Sequence, residues 1–232
     1  MSTESTGFLY PFIDAEERDS GALLTDLAAS ARDKAHESHQ RQQATLAEWS
    51  AEIVEAAAEM ARRFATGGRL YAFGNGGSST DAATFAALFA RPITGRPLPA
   101  LNLAADMSVV TALGNDVGFE LVFSRQIIAH SSPRDIAVAF STSGNSADLM
   151  TALREAHHRG LLTVGFAGYS GGEMAASEAL AHCFVVRSQS IHRIQESQAL
   201  IGYQLWASTH ACLQSEPDAG MATNSAVARG GL

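Results

Sequence analysis

Ile136-Ala137-Val138-Ala139-Phe140 is an unbroken apolar run, and together with the turn and helix after it, it limits the fold more than any other stretch of the chain. Five consecutive apolar residues with no alternation read as a strand buried on both faces. Ala147 to His158 comes next, with Leu149, Met150, Leu153 and Ala156 at helical spacing. Ser141-Thr142-Ser143-Gly144-Asn145-Ser146 therefore occupies a strand-to-helix turn. Hydroxyl and amide groups crowd it, and the unpaired N–H groups and positive dipole end of the next helix point into it. Such a turn suits a dianionic phosphate. It equally suits a helix N-cap, for which Ser, Thr and Asn are favoured anyway.

The same unit recurs along the chain. Arg69 to Phe73 reads as the first strand, Gly74-Asn75-Gly76-Gly77-Ser78-Ser79 as its turn, and Thr80 to Ala90 as its helix. Pro99 to Leu103 is the second strand. Asp106 caps a helix to Leu113, residues 114–119 form a turn, and Glu120 to His130 is helical. Leu161 to Phe166 is the fourth strand, residues 167–172 a third glycine-bearing loop, His182 to Val186 the fifth strand, and His192 to Leu213 the closing helix. Strands alternating with helices imply an α/β three-layer sandwich around a five-stranded parallel sheet. Ligands in such sheets bind at the carboxyl ends of the strands. The turns at 74–79, 141–146 and 167–172 all fall there, and this convergence favours the phosphate reading over the cap. The spacing GxGxxG is missing and no Gly-Lys-Ser/Thr follows, so neither dinucleotide nor Walker chemistry is indicated.

Two helical stretches precede the first strand, from Gly21 to about Arg41 and from about Ala44 to Thr66. Trp49, Ile53, Ala57, Met60 and Phe64 give the second an apolar face, and Gly67-Gly68 ends it. The first is either an oligomer contact or an intramolecular packing helix. Residues 1–20 are expected to be a mobile arm, 21–213 a single domain with its N-terminal helical extension, and 214–232 a disordered tail.

With 232 residues, 46% of them hydrophobic, the chain can bury one sizeable core. A formal charge of −8 with no basic cluster argues against direct nucleic-acid binding. No run approaches the ~20 apolar residues of a membrane span, and no basic-then-apolar leader is present, so a cytoplasmic location is expected. Cys183 and Cys212 read as buried thiols in a reducing compartment.

Read together, Gly74-Asn75-Gly76-Gly77-Ser78 with Asp81, Gly114-Asn115-Asp116-Val117-Gly118-Phe119, Phe123-Ser124-Arg125, the serine turn and Arg193-Ile194-Gln195-Glu196 resemble the phosphoheptose isomerase (sedoheptulose 7-phosphate isomerase) family of the sugar-isomerase (SIS) domain superfamily. The resemblance covers residues 21 to 213. It implies a flavodoxin-like parallel sheet and a homotetramer with active sites at subunit interfaces. It further implies a phosphorylated sugar held by Ser141, Thr142, Ser143 and Ser146, and faced by Asn75, Gly76, Gly77 and Ser78, by Asn115 and Asp116, and by Gln195.

The family moves a proton between C1 and C2 using a glutamate and a histidine that also bind zinc, with a second histidine and a glutamine. Ungapped carry-over puts Thr84 and Leu88 at the first pair of ligand positions, and Gln195 and Tyr203 at the second. Leu88 can neither take a proton nor bind metal. Thr84 is a poor ligand, and Tyr203 needs its pKa of about 10 lowered to act. The resemblance therefore points to a divergent member with no metal and no cofactor. In this it is like the branch that associates with the replication initiator, with a regulatory or scaffold role and a protein partner as the expectation. The alternative is an aldose–ketose isomerase for a seven- or eight-carbon sugar phosphate, using a rearranged acid–base set of His192, Glu196 and Tyr203. His192 and Glu196 are one helical turn apart. Both have a simpler reading, His192 as a helix-start residue near a subunit contact and Glu196 as a partner of the helix dipole.

Overall fold

The computed structural model describes residues 20–215. The expected arm at 1–19 and the tail from 216 lie outside the described residues. Gln214 and Ser215, placed in the tail by the sequence, are helical. The described residues up to Gln40 form one compact unit and those from Arg41 a second.

Helix α1 runs unbroken from Ser20 to Ala65, 46 residues, where the sequence suggests two helices. Arg41-Gln42-Gln43 is polar but contains no glycine or proline, so nothing there breaks the hydrogen-bond ladder. Its end is as expected. Gly67 adopts a left-handed φ of 83°. Gly67 N–H donates to Phe64 O and Gly68 N–H to Arg63 O, the pair of bonds of a Schellman cap.

Strands β1 (Leu70–Gly74), β2 (Ala100–Asn102), β3 (Ile136–Phe140), β4 (Leu162–Gly168) and β5 (His182–Val186) form one sheet of order β2-β1-β3-β4-β5. Every pairing is parallel. The helices are α2 (Gly77–Ala90), α3 (Met107–Asp116), α4 (Val122–His130), α5 (Ala147–His158), α6 (Gly172–Ala176) and α7 (Ile191–Ser215), with a 3₁₀ turn at Phe119–Leu121. Two differences from the sequence reading affect the site. Asn115 and Asp116 close α3 rather than sit in a turn, because the chain breaks at Gly118, with φ of 98°. The loop after β4 is also shorter than expected and leads into α6.

Alternate strand residues build the two core layers. Leu70 and Ala72 of β1 and Ile136, Val138 and Phe140 of β3 face α1, α2 and α7, against Ile53, Met60, Phe64, Phe85, Phe89, Ile201 and Leu205. Tyr71 and Phe73 with Ala137 and Ala139 face α4, α5 and α6, against Phe123, Ile127, Leu149, Leu153 and Met174. Near the site, Phe140 stacks on Phe166 with centroids 4.3 Å apart, and Phe85 meets Phe140 edge-on at 5.4 Å. The strand order reverses between β1 and β3. The crevice at their carboxyl ends is thus flanked by the loops after β1 and after β3.

Candidate functional site

Phe140 ends β3, and the chain enters the serine turn with Ser141 N–H donating to Phe166 O. The buried Ser141 hydroxyl accepts from Gly144 N–H at 2.9 Å, and the Ser143 hydroxyl accepts from Asn145 N–H at 3.2 Å. The turn thus braces itself. Its outer wall is the first turn of α6 with Gly171 before it. Asn145 Oδ1 accepts from Glu173 N–H at 2.8 Å, and Met174 N–H donates to Gly144 O. The third glycine loop, grouped by sequence with the ligand-binding turns, buttresses the serine turn.

Ser146 is the N-cap of α5, yet its hydroxyl makes no capping bond. The first intrahelical bond is Met150 N–H to Ser146 O, so the first-turn N–H groups have no acceptor within the helix. Beside them lies a cleft lined by Asn75, Ser78, Ser141, Thr142, Ser143 and Ser146, with Phe140 and Leu149 beneath. No charged side chain lines it. An anion here meets hydroxyls, an amide and a helix N-terminus.

Asn75 is held in place by a residue the sequence reading did not single out. Its Nδ2 donates to both carboxylate oxygens of Asp148, at 3.1 and 2.9 Å. Asp148 sits in the first turn of α5 and is buried.

A second, small cavity adjoins the first at Phe140. It is lined by Asp81, Thr84, Phe85 and Leu88 of α2 and by Gln198, Ala199 and Gly202 of α7. Gln195 reaches across to α2, donating from Nε2 to Asp81 Oδ2 at 2.8 Å. It does so over Gly77, where a Cβ would stand 2.8 Å from that nitrogen. Burial raises the Asp81 pKa above the ordinary carboxylate value, and the Gln195 bond opposes this. Gln198, wholly buried, donates to Ser141 O at 2.9 Å and so joins the second cavity to the serine turn.

The positions that a family zinc ion would use hold few donors. Leu88 offers none. The Thr84 hydroxyl donates to Thr80 O at 2.9 Å. Gln195 spends its Nε2 on Asp81 and keeps its Oε1. Tyr203 is 46% exposed and packs on Trp206 with centroids 5.3 Å apart. Among the described residues, no three His, Cys, Asp or Glu side chains cluster.

His192 is exposed. Glu196 is paired with Arg193, whose Nη1 donates to both of its oxygens at 2.8 and 2.9 Å. None of His192, Glu196 and Tyr203 lines either cavity. Asn115 and Asp116 are exposed and bonded to each other at 2.8 Å, away from both linings. Among the described residues, no helix is long and apolar enough to cross a membrane.

A family model described as SIS domain matches residues 35–168. The chain is 41% identical over 160 residues to a phosphoheptose isomerase of Aquifex aeolicus, covering 68% of this chain and 82% of the relative. It is 44% identical over 158 residues to one of Solidesulfovibrio magneticus, covering 67% and 76%. Among solved structures, the phosphoheptose isomerase of Neisseria gonorrhoeae superposes with a TM-score of 0.74 at 33% identity, covering 80% of this chain and 99% of that one. That of Francisella tularensis gives 0.74 at 28% identity, covering 79% and 98%.

Proposed function

The chain belongs to the phosphoheptose isomerase family of SIS-domain proteins, and from that premise we propose that it binds a phosphorylated sugar without the zinc-dependent isomerase chemistry. The observation that carries the reading is the contrast between the two adjoining cavities. The serine-turn cleft keeps Ser141, Thr142, Ser143 and Ser146 with the N-terminus of α5. The neighbouring cavity holds Leu88 and Thr84 where a base and a metal would be needed.

Binding and turnover make different demands. A phosphate dianion needs donors and positive potential. The first-turn N–H groups supply both, with a helix dipole worth up to about 2 kcal/mol in a partly buried setting. Moving a proton between C1 and C2 needs a group of suitable pKa within reach of both carbons. Among the residues lining the second cavity, only Asp81 is ionisable, and one of its oxygens already accepts from Gln195. The resulting role is recognition, in a regulatory or scaffold protein. As in the family at large, a homotetramer is the assembly we propose. Leu101, Met107, Val117 and Phe119 are exposed apolar residues that such an assembly could cover.

The test is thermal stabilisation by sedoheptulose 7-phosphate. The reading requires a shift at millimolar ligand that is lost in Ser143→Ala/Ser146→Ala. No shift in the unaltered protein overturns it.

A further inference from the structure

The second cavity has a feature beyond its missing catalytic groups: every polar atom it offers with a free valence is an acceptor. Gln198 is wholly buried, and its Nε2 is spent on Ser141 O. Its Oε1 is buried and has no hydrogen-bond partner among the described residues. Asp81 presents a carboxylate with one oxygen taken by Gln195 and the other not. The Thr84 hydroxyl gives its hydrogen to Thr80 O, so lone pairs are what it has left. The remaining walls, Phe85, Leu88, Phe140, Ala199 and Gly202, are apolar. No Lys, Arg or His lines the cavity.

A buried acceptor without a donor costs about 1–3 kcal/mol, so a site that keeps one is complete only when something donates to it. A cavity of acceptors discriminates sharply, because a group that can only accept leaves all of them unpaired. From the Gln198–Ser141 bridge and the acceptor-only lining, we propose that this cavity takes the end of the ligand remote from the phosphate and selects a hydrogen-bond-donating end. An alcohol or an ammonium would fit, and a carboxylate would be rejected. The ligands are then phosphate esters of polyols or amino polyols, and the corresponding phosphorylated acids are excluded. This rests on the sugar-phosphate reading and narrows it.

The experiment compares calorimetric titrations of the full chain with sorbitol 6-phosphate, glucosamine 6-phosphate, 6-phosphogluconate and inorganic phosphate. We expect the alcohol and amine esters to bind at least tenfold more tightly than the acid. The ratio between sorbitol 6-phosphate and 6-phosphogluconate should fall below threefold in Asp81→Asn, which turns one acceptor into a donor and removes its charge. Because the acid carries an extra charge everywhere, this variant separates the cavity from the protein's overall negative field. Should Asp81→Asn fail to fold, Leu88→Phe, which fills the cavity, should weaken the alcohol ester toward the affinity of inorganic phosphate. Equal binding of alcohol and acid esters by the unaltered protein overturns the inference and leaves the sugar-phosphate reading standing. Failure of all three esters and inorganic phosphate to bind overturns both. If the amine ester alone binds tightly, the cavity is an ammonium site and the polyol half of the proposal is wrong.

Discussion

Asn75 donates through one amide nitrogen to both oxygens of Asp148, joining the loop after β1 to the first turn of α5 across the point where the strand order reverses. Asp148 is 5% exposed. This pair fixes the width of the crevice that the serine turn overlooks, because each partner sits on one of its two walls.

Removing the carboxylate should therefore loosen the site as well as the fold. Asp148→Ala leaves the Asn75 amide without its acceptor, at a cost of about 1–3 kcal/mol. Urea denaturation should show that loss. Asp148→Asn, which keeps an acceptor oxygen, should lose less, and an equal loss in both variants would mean the pair contributes packing alone.

Two glycines with left-handed backbones should respond differently to a methyl group. At Gly67, φ 83°, nothing lies within 4 Å of an added Cβ, so Gly67→Ala should cost only the conformational strain, about 1–2 kcal/mol. At Gly144, φ 69°, the Cβ would collide with the Gly171 carbonyl oxygen. Gly144→Ala should add about 1–3 kcal/mol of overpacking to the same strain and push the serine turn off its buttress. Equal losses on chemical denaturation would show that the loop after β4 yields freely and does not brace the turn.

Acid should find a weak point in α7. His210 is buried there, stacked on Phe89 with centroids 6.3 Å apart. Burial first, and then Arg96, hold its pKa below the ordinary 6.5. The unfolded chain thus takes up a proton near 6.5 that the folded chain refuses. Stability from this residue is intact above about pH 6.5, falls as the pH drops from there toward the folded value, and is level again below it. His210→Phe should flatten that part of the stability–pH profile. An unchanged slope would assign the acid sensitivity to other groups.

How much of this was legible in the chain depends on the range of each interaction. The boundaries of β3 and α5 coincide with the sequence reading, because an apolar run and a helical stripe are local signals. The switch-point crevice was legible too, since it follows from strand–turn–helix order. The roles of Asp148, Gln198 and Asp81 were not. Asn75 and Asp148 are 73 residues apart, Ser141 and Gln198 57, and Asp81 and Gln195 114. No periodicity reports such pairings. His192 and Glu196 resemble an acid–base couple in sequence because one-turn spacing is a local signal as well. In the fold, Arg193 takes Glu196, and their helix turn lies outside both cavities. Asn115 and Asp116 read as turn residues because Gly114 precedes them, but the helix runs through that glycine and stops only before Gly118.

The central proposal is that the serine-turn cleft binds a sugar phosphate beside a cavity with Thr84 and Leu88 where the family's base and metal ligands would stand. The most direct measurement is deuterium incorporation at C1 of sedoheptulose 7-phosphate in D₂O, followed by NMR with zinc supplied, at a ligand concentration where the thermal shift is complete. The account predicts bound ligand and no incorporation above the protein-free rate. Incorporation that requires the protein, and that disappears in Tyr203→Phe or His192→Ala, would contradict it and identify the chain as an isomerase with a rebuilt acid–base set.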